Sequence, residues 1–456
     1  MHRNARFAVL LLTACAPAPS LPVADGGLIA ADADGAATDA SEVTDAGTVA
    51  SCAFGPLPGH VSVGAGGRLS LPLSGDLGQV EVRAPEGWRV RLLEGPRVEL
   101  RAPYQAEPAV LELVLRCPGG GRAEARVPLE LRPMRWSRIA SWAPPAGPAA
   151  VLRPNLWIDP EEPDHLLLFG GLGADFSFRA ELWSYAFARQ HWDQVGAPLG
   201  LRVRGGLAVG RPGRPALLVL DEQVGLGAAS GQVLSEVDYG GETPSMSVLA
   251  AEAPIEGWYG GAFFYAPNLE RYVVACGSAP SGNHCRAVLY DPSTAQWELP
   301  EVVGDAPKGR FGFAFAFDEP GQRLVLYSGA TDIIGGRYVS DAETWALALG
   351  ERPFRWRRLH PSGAPTPRVY GCHAMDPAGQ RLLTFGGGLD AASLSGALMA
   401  LDLEAGEERW EAIELSGGPP SRGLCSAVSD PERGRILLGF GDDASGTFSD
   451  LWALEL

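Results

Sequence analysis

Two patterns of apolar and polar positions divide the chain beyond residue 51. From residue 52 to 133, apolar and polar residues alternate over short runs such as Val80-Glu81-Val82-Arg83 and Val98-Glu99-Leu100-Arg101. Alternation with a period of two, broken by Gly- and Pro-rich turns, is typical of half-buried antiparallel strands. We therefore predict a small β-sandwich over residues 52–133, immunoglobulin-like in architecture.

From residue 134 to 456 the chain repeats one unit roughly every 50 to 57 positions. Each unit contains an apolar run, a glycine, a loop and an apolar strand that carries Trp or Tyr. The glycine step is clearest at Gly170-Gly171 and Gly386-Gly387, and weaker at Gly277, Gly329 and Gly441. This period is typical of four-stranded blades repeated around an axis. One copy departs from the pattern, because acids follow Leu220 and no Trp lies near Met246, so we expect that blade to be looser.

The repeats resemble the kelch family. Three inner strands end in Asp-Pro, third strands carry Trp or Tyr, and Trp192, Trp297, Trp356 and Trp410 open fourth strands. The resemblance covers about 70% of the chain and implies an all-β fold, a six-bladed kelch-like β-propeller after the small immunoglobulin-like sandwich. We interpret the repeated aromatic residues as packing between blades.

The two ends of the repeat region are predicted to pair. The sequence stops at Leu456 after a third strand, and Arg135-Trp136-Ser137-Arg138-Ile139 reads as a fourth strand without a blade of its own. Pairing these segments would complete the last blade and leave no open sheet edge between them.

The pattern of the first 51 residues predicts that the protein is exported and attached to a membrane. Arg3 and Arg6 precede the apolar run 7–12, as in an export signal. Leu12-Thr13-Ala14-Cys15 resembles a bacterial lipobox, so residues 1–15 are the predicted lipoprotein signal and Cys15 the predicted lipidation site; an ordinary secretory signal is the alternative. Residues 16–51 are rich in Ala, Gly and Asp without Lys or Arg, which predicts a disordered acidic tether. Ala16 favours the outer membrane as the location.

The seven cysteines agree with export, because six remain after Cys15, an even number. Their positions suggest three disulfides, Cys52 with Cys117, Cys276 with Cys285 and Cys372 with Cys425, although the sequence does not exclude other pairings. Zinc-type CxxC spacing is absent, and the carboxylates Asp442, Asp443 and Asp450 fit no standard calcium loop. We predict neither a metal nor another cofactor.

The candidate ligand site lies in the central channel. Aligning the repeats ahead of each inner strand gives Arg153, Arg204, Trp258, Arg310, Arg368 and Arg422. In a chain of net charge −17, which argues against a nucleic-acid partner, these arginines would make one channel mouth positive. The alternative is that they tie neighbouring blades together through backbone carbonyls. Trp258, Tyr259 and Tyr370 lie beside this level and could offer flat faces to a sugar ring; the alternative is that these aromatic residues simply narrow the channel.

Catalysis has one weak candidate, His373 on an inner strand, because histidine titrates near neutrality. We expect an exported binding protein that holds a protein or glycan partner, anionic in character, at the channel mouth without turning it over. The alternative is a periplasmic enzyme of the sugar-acid epimerase or mutarotase kind on the same kelch scaffold, an analogy of fold alone. A third interpretation makes the propeller a structural part of an envelope complex.

Overall fold

The computed structural model describes residues 53–456, apart from residues 76–78, 94–96, 106–107, 118–120, 160, 176, 202–206, 222–232, 251–252, 255–258, 280, 364, 377–380 and 405. The predicted signal and tether, with Cys15, Cys52, Arg204 and Trp258, lie outside the described residues. The chain divides between Pro133 and Met134 into two compact units. Within the described residues every regular element is a β-strand, and no helix has the length and hydrophobicity that a membrane crossing requires.

The described part of the N-terminal unit forms two sheets. Its strands are β1 (Val61–Gly64), β2 (Arg68–Pro72), β3 (Gln79–Arg83), β4 (Arg89–Leu93), β5 (Arg97–Arg101), β6 (Ala109–Arg116) and β7 (Arg122–Arg132). One sheet has the order β1-β7-β6-β3 and the other β2-β5-β4. The two sheets share one apolar core, which makes this unit a small β-sandwich; its immunoglobulin-like architecture stays a prediction. Within the first sheet β1 pairs in parallel with β7.

The alternation in the sequence places one set of side chains between these sheets. Val98 and Leu100 of β5 and Leu111 and Leu113 of β6 are fully buried in one apolar core. Their neighbours along each strand point to the other face, because successive side chains alternate across a sheet.

The C-terminal unit begins with β8 (Arg135–Ser141), and its first three blades follow in chain order. Blade one contains β10 (Asn155–Ile158), β11 (His165–Phe169), β13 (Leu182–Ala186) and β14 (His191–Gln194), with β9 (Val151–Leu152) and β12 (Leu172–Gly173) forming a small pair beside it. Blade two contains β15 (Ala208–Gly210), β16 (Ala216–Asp221), β17 (Val233–Asp238) and β18 (Ser245–Ala250). Blade three contains β19 (Ala262–Ala266), β20 (Arg271–Ala279), β21 (Gly282–Asp291) and β22 (Gln296–Glu298).

Blades four to six repeat the same antiparallel order. Blade four contains β24 (Ala314–Asp318), β25 (Arg323–Tyr327), β28 (Thr344–Ala348) and β29 (Phe354–Leu359), with β23 (Val302–Val303) added in parallel to β29 and a hairpin of β26 (Ala330–Ile334) and β27 (Arg337–Ser340). Blade five contains β30 (Cys372–Asp376), β31 (Arg381–Phe385), β32 (Leu398–Asp402) and β33 (Arg409–Ile413). Blade six contains β34 (Ser426–Asp430), β35 (Arg435–Gly439) and β38 (Asp450–Glu455), with a hairpin of β36 (Asp442–Asp443) and β37 (Gly446–Thr447).

The fourth strand of blade six is β8, from the start of the unit. It pairs antiparallel with β38, Trp136 opposite Leu454 and Ser137 opposite Ala453. The Ser137 hydroxyl also donates to the Glu455 carboxylate at 3.0 Å. The predicted closure of the ring is confirmed, and with it the six blades.

Buried ion pairs hold the turn between first and second strands in three blades. Asp318 accepts a hydrogen bond from Arg323 Nε at 2.7 Å in blade four. Asp430 and Arg435 repeat this contact at 2.9 Å in blade six, and Asp376 pairs with Arg381 in blade five. In blades five and six this Asp belongs to the Asp-Pro motif, and it is structural there because its carboxylate neutralises the buried arginine of the next strand.

The fourth strands differ in how well their central residue is covered. Trp192, Trp356 and Trp410 are at most 4% exposed. In blade two Met246 holds the equivalent place, opposite Val237, and is 44% exposed. Blade two is therefore present, as predicted, and its outer strand lacks the covered tryptophan.

Candidate ligand site at the channel mouth

The first strands of the six blades surround a cavity of about 390 Å³. Each contributes to its wall, with Asn155, Ala208, Phe263, Phe315, Met375 and Ser429 among the lining residues. Several polar groups of the wall are engaged within the protein: Asn155 donates to the Phe169 carbonyl at 3.1 Å, and Ser429 donates to the Met375 carbonyl. Among the described lining residues, the titratable side chains are Arg153, Tyr370 and His373.

Backbone hydrogen bonds form a rim at one end of this cavity, which we call the mouth ring. Two residues before the first strand, five blades carry a residue with positive φ: Arg153 (49°), Gly260 (67°), Gly312 (63°), Tyr370 (57°) and Leu424 (51°). The N–H groups of four of them donate to the carbonyl of the preceding blade's member: Gly312 to Gly260 at 2.7 Å, Tyr370 to Gly312 at 2.7 Å, Leu424 to Tyr370 at 2.8 Å and Arg153 to Leu424 at 2.6 Å. The corresponding position of blade two lies outside the described residues.

Two side chains of the mouth ring lie across the opening. The Arg153 guanidinium lies 4.6 Å from the centre of the Tyr370 ring, a cation–π contact. The Tyr370 ring in turn covers Gly312, where an added Cβ would lie 2.7 Å from Tyr370 Cε1. Glycine is required there both for its positive φ and for this close approach.

Aromatic side chains surround this pair; we call Tyr259, Phe311, Tyr338 and Tyr370 the mouth aromatics. Phe311 lies at the centre, with ring centroids 5.6 Å from Tyr259, 6.0 Å from Tyr338 and 5.9 Å from Tyr370. Tyr338 is carried over the mouth by β27, whose backbone N–H of Tyr338 donates to the Leu389 carbonyl at 3.0 Å. Aromatic rings near an arginine offer flat apolar faces beside a positive charge.

Charges near the mouth act on one another. Burial raises the pKa of Tyr338, the positive charge of Arg153 lowers it, and Tyr259 and Asp442 raise it further. Burial, and then the neighbouring Asp443, raise the pKa of Asp442. Arg153, Tyr338 and Asp442 therefore share one electrostatic environment.

Arg310 and Arg422 are structural. Both are fully buried. Arg422 binds both carboxylate oxygens of Asp450, at 2.6 and 2.9 Å, and the Phe440 carbonyl at 3.0 Å. Arg310 binds Asp341 at 2.9 and 3.3 Å and the Ser328 carbonyl at 2.9 Å. The predicted ligand-binding role of these two arginines is corrected, because neither guanidinium reaches the channel.

Arg368 occupies the same position in blade five with different partners. Its Nη1 donates to the carbonyls of Ala397 at 3.0 Å and Gly386 at 3.5 Å. In blades four and six the Nη1 of the equivalent arginine binds one carboxylate and one carbonyl instead. Burial lowers the pKa of Arg368, which is half-buried. Its contacts too are those of a tie within the blade.

Arg153 is not equivalent to these arginines, which corrects the alignment of the predicted ring. The Arg368 carbonyl accepts from Gly329 of the preceding blade, and the Arg422 carbonyl accepts from Gly387 in the same way. In blade one the residue whose carbonyl accepts the equivalent bond, from Gly441, is Val151. Arg153 lies two residues later, on the mouth ring. Of the four predicted arginines that are described, Arg153 alone lines the cavity.

His373 faces the cavity from β30, beside Phe315 at a centroid distance of 4.9 Å. Its Nδ1 lies 3.4 Å from the Gly371 carbonyl. Although the ring borders the cavity, it is deep in the protein, and this burial lowers the pKa of His373 to about 4. The imidazole is therefore neutral at pH 7.

Two predicted disulfides are confirmed. Cys276 and Cys285 join β20 to β21 within blade three, and Cys372 and Cys425 join the first strands of blades five and six. Cys117 is also disulfide-bonded, and its predicted partner Cys52 lies outside the described residues. In the described part of the chain, no group of three or more His, Cys, Asp or Glu side chains is placed to hold a metal ion.

Comparisons with known proteins agree with this geometry. Residues 268–456 match the family described as the KLHDC2/KLHL20/DRC7 Kelch-repeats domain. The chain is 34% identical over 135 residues to the serine/threonine-protein phosphatase BSL2 of Arabidopsis thaliana, covering 29% of this chain and 12% of the phosphatase. It is 25% identical over 207 residues to host cell factor 1 of Homo sapiens, covering 41% of this chain and 10% of that protein.

A solved structure, that of YjhT, aligns with 67% of this chain and 95% of its own, at 17% identity and a TM-score of 0.49. This chain spans only about a tenth of the length of the two curated relatives, the phosphatase BSL2 and host cell factor 1. The blade topology, the closed ring and the family match together make the C-terminal unit of this chain a kelch-repeat β-propeller.

Proposed function

We propose that this chain is an exported, lipid-anchored binding protein whose propeller holds an acidic protein segment at the channel mouth. Arg153 is the observation that carries the proposal, because it brings a positive charge to the mouth of a propeller whose chain has a net charge of −17. Kelch propellers are commonly protein-interaction scaffolds, which favours a protein partner over a glycan. Export and anchoring rest on the leader and Cys15.

The geometry suits one carboxylate with an apolar neighbour. The Arg153 guanidinium lies over the Tyr370 ring, and its fork of N–H donors suits a carboxylate, so an anion bound there would lie beside an aromatic face. The mouth aromatics supply the apolar surface beside it. The backbone bonds of the mouth ring hold both parts in place before a partner arrives, which lowers the entropic cost of binding.

Binding to acidic and neutral probes tests this proposal. We would measure the affinity of the chain for peptides with one Asp or Glu beside an aromatic residue, and for galacturonate and galactose as glycan probes, by calorimetry and by the rise in Tm. Arg153→Gln should weaken acidic-peptide binding about tenfold or more, as expected for a charge-assisted hydrogen bond. Arg355→Gln is the control, because Arg355 is exposed on the outer strand β29.

Equal loss in both variants, or no binding of any acidic probe, would refute the mouth as an anion site. A preference for galacturonate over the peptides would keep the site and replace the protein partner with an acidic glycan.

A sugar-acid epimerase or mutarotase is the second candidate, and His373 is the observation that favours it. A neutral imidazole inside the cavity can accept a proton at pH 7. The described lining offers no carboxylate to act as its partner, so binding without turnover remains the proposal. Conversion of an acidic sugar that His373→Gln abolishes, with its affinity kept, would establish the enzyme instead.

A further inference from the structure

Blade one lacks the arginine that ties each of the last three blades. Arg310, Arg368 and Arg422 stand two positions before the mouth-ring residue of their blades. In blade one this position is Val151, which is 2% exposed. A valine side chain ends at its Cγ atoms, so it does not reach the place that a guanidinium takes in the other blades.

The groups that hold this guanidinium in blade six have counterparts in blade one. Arg422 binds the Asp450 carboxylate and the Phe440 carbonyl. The Phe440 N–H also donates to the Asp450 carbonyl at 3.4 Å. In blade one the same backbone bond runs from the Gly170 N–H to the Glu181 carbonyl at 3.5 Å. Glu181 and Gly170 therefore hold the places of the carboxylate and the carbonyl that bind Arg422.

A cavity of about 290 Å³, which we call the blade-one cavity, lies where the guanidinium is missing. Val151, Gly170 and Glu181 all line it. One wall is a row of side chains that lie opposite one another on β11, β13 and β14, namely Leu168, Trp183 and Gln194. The facing wall is the loop 144–149, most of which is exposed, so the cavity opens to solvent.

Trp142 holds the loop wall in place. Its Nε1 donates to the Pro148 carbonyl at 2.8 Å, and its ring packs against Trp192 at a centroid distance of 5.3 Å. Gly147 lies against both tryptophans, because an added Cβ would lie 2.7 Å from Trp142 Cδ1 and 2.8 Å from Trp192 Cδ1. The cavity is therefore formed before anything enters it, which lowers the entropic cost of binding.

The charge of the cavity favours a cation. Glu181 is half-buried, and within the described part of the chain its carboxylate accepts from the Ala180 N–H at 3.0 Å and forms no ion pair. Arg179 also lines the cavity, but its guanidinium already pairs with Asp175 at 3.4 Å. A carboxylate that is partly removed from water is stabilised by a cation beside it.

We propose that the blade-one cavity binds the side chain of an arginine that belongs to a partner protein. The incoming guanidinium would donate to the Glu181 carboxylate and the Gly170 carbonyl, as Arg422 does to their counterparts. Proline, leucine and tryptophan side chains of the lining suit its methylene stem. The net charge of −17 attracts a basic partner. Among the described residues none lines both this cavity and the channel cavity, so the site is separate from the mouth.

Calorimetry of the chain with capped tripeptides tests the proposal. The probe is acetyl-Gly-Arg-Gly-amide, and the comparison peptides carry citrulline, which has the shape of arginine without its charge, or lysine, or glutamate at the central position. Glu181→Gln removes the charge and keeps an oxygen that can accept from Ala180. Glu301→Gln is the control, because Glu301 is an exposed acid outside this cavity. Val151→Arg supplies a guanidinium from within the blade.

We expect the arginine peptide to bind and the citrulline peptide not to bind. Glu181→Gln should weaken the arginine peptide about tenfold or more, as expected for a charge-assisted hydrogen bond, and Glu301→Gln should leave it unchanged. Val151→Arg should abolish binding because its own side chain fills the place, and the Glu181→Gln result decides even if Val151→Arg fails to fold.

No binding of the arginine peptide, or equal binding of the citrulline peptide, would overturn the assignment. Equal binding of the lysine peptide would overturn the guanidinium as the recognised group, and a preference for the glutamate peptide would mean that Arg179 rather than Glu181 sets the charge of the site. Tighter binding of free arginine than of the tripeptide would replace the partner protein with a small molecule. Arg153 is intact in all these variants, so the outcome does not depend on the mouth.

Discussion

Removal of Asp450 should be among the most damaging single substitutions in the propeller. Asp450 binds Arg422 through both carboxylate oxygens and also accepts from Trp452 Nε1 at 2.9 Å. The Arg422 side chain is 0% exposed and that of Asp450 is 9% exposed. Asp450→Ala leaves a fully buried guanidinium without its counter-charge.

The size of the effect follows from this burial. Breaking a buried ion pair from one side costs about 3 to 5 kcal/mol, because the remaining charge stays desolvated. Asp341, the equivalent partner of Arg310, is 33% exposed, and Glu343 lies 3.5 Å from the same guanidinium. Asp341→Ala should therefore cost only about 1 to 2 kcal/mol, since water and Glu343 compensate for part of the loss.

Urea unfolding followed by tryptophan fluorescence measures both values, from the midpoint shift at constant m. Asp332→Ala is the control, because Asp332 is exposed on the hairpin of β26 and β27, where it accepts from the Ile333 N–H at 2.7 Å, and its loss should change stability by less than about 0.5 kcal/mol. Arg422→Met/Asp450→Leu removes both charges and should recover much of the loss.

A cost below about 1 kcal/mol for Asp450→Ala would refute the reasoning, because it would mean that Arg422 is not committed to this partner. A double variant no more stable than Asp450→Ala would also contradict it, since the loss would then come from packing rather than from an unpaired charge.

Two further effects on stability are expected. Burial lowers the pKa of His373 to about 4, so between pH 6.5 and 4 the unfolded chain binds a proton that the folded chain does not. The free energy of unfolding therefore falls as the pH falls through this window. From pH 7 to 5 the wild type should lose about 2 kcal/mol more than His373→Gln, as measured by parallel urea titrations. The disulfide Cys372–Cys425 closes a loop of 53 residues and Cys276–Cys285 one of 9. In the chain-entropy model, replacing the first pair by Ser should lower the free energy of unfolding by about 4 kcal/mol, and replacing the second by about 2.6 kcal/mol. If calorimetry gave equal losses, or a larger loss for Cys276–Cys285, the model would be contradicted.

The ring of blades was predictable because its signals are local and repeated. In five of the six blades a glycine follows the second strand and a tryptophan marks the fourth, and the fourth strand around Trp136, without a blade of its own, indicated how the ring closes. Cys372 and Cys425 could be paired because they hold nearly equivalent places in adjacent repeats.

The candidate site was harder to predict, because it depends on a shift of two residues. Arg153 and Arg422 precede their first strands by two and four residues, so one points to the mouth and the other is buried. A signal for the buried pair was present: Asp450 stands two residues before Trp452, and Asp341 four before Trp345. An acid ahead of the third-strand tryptophan predicts a partner for the arginine of the same blade.

The row of arginines across β2, β5 and β4 could not be predicted from the sequence. Arg68, Arg89 and Arg101 are separated by 21 and 12 positions, and only the pairing register of three strands places them side by side. Alternation predicted that each would point away from the core, but not which residue would lie opposite it.

Closure of the ring by β8 and β38 sets an order on folding. Ser137 contacts Glu455 across 318 positions, and residues that far apart meet only after the chain between them has been made. Until β38 has been synthesised, β35 pairs only with β34 and β8 has no partner, so blade six is the last to form. A chain without residues 451–456 would leave β8 without a partner and one edge of β35 unpaired, and such a chain should depend on chaperones or be degraded.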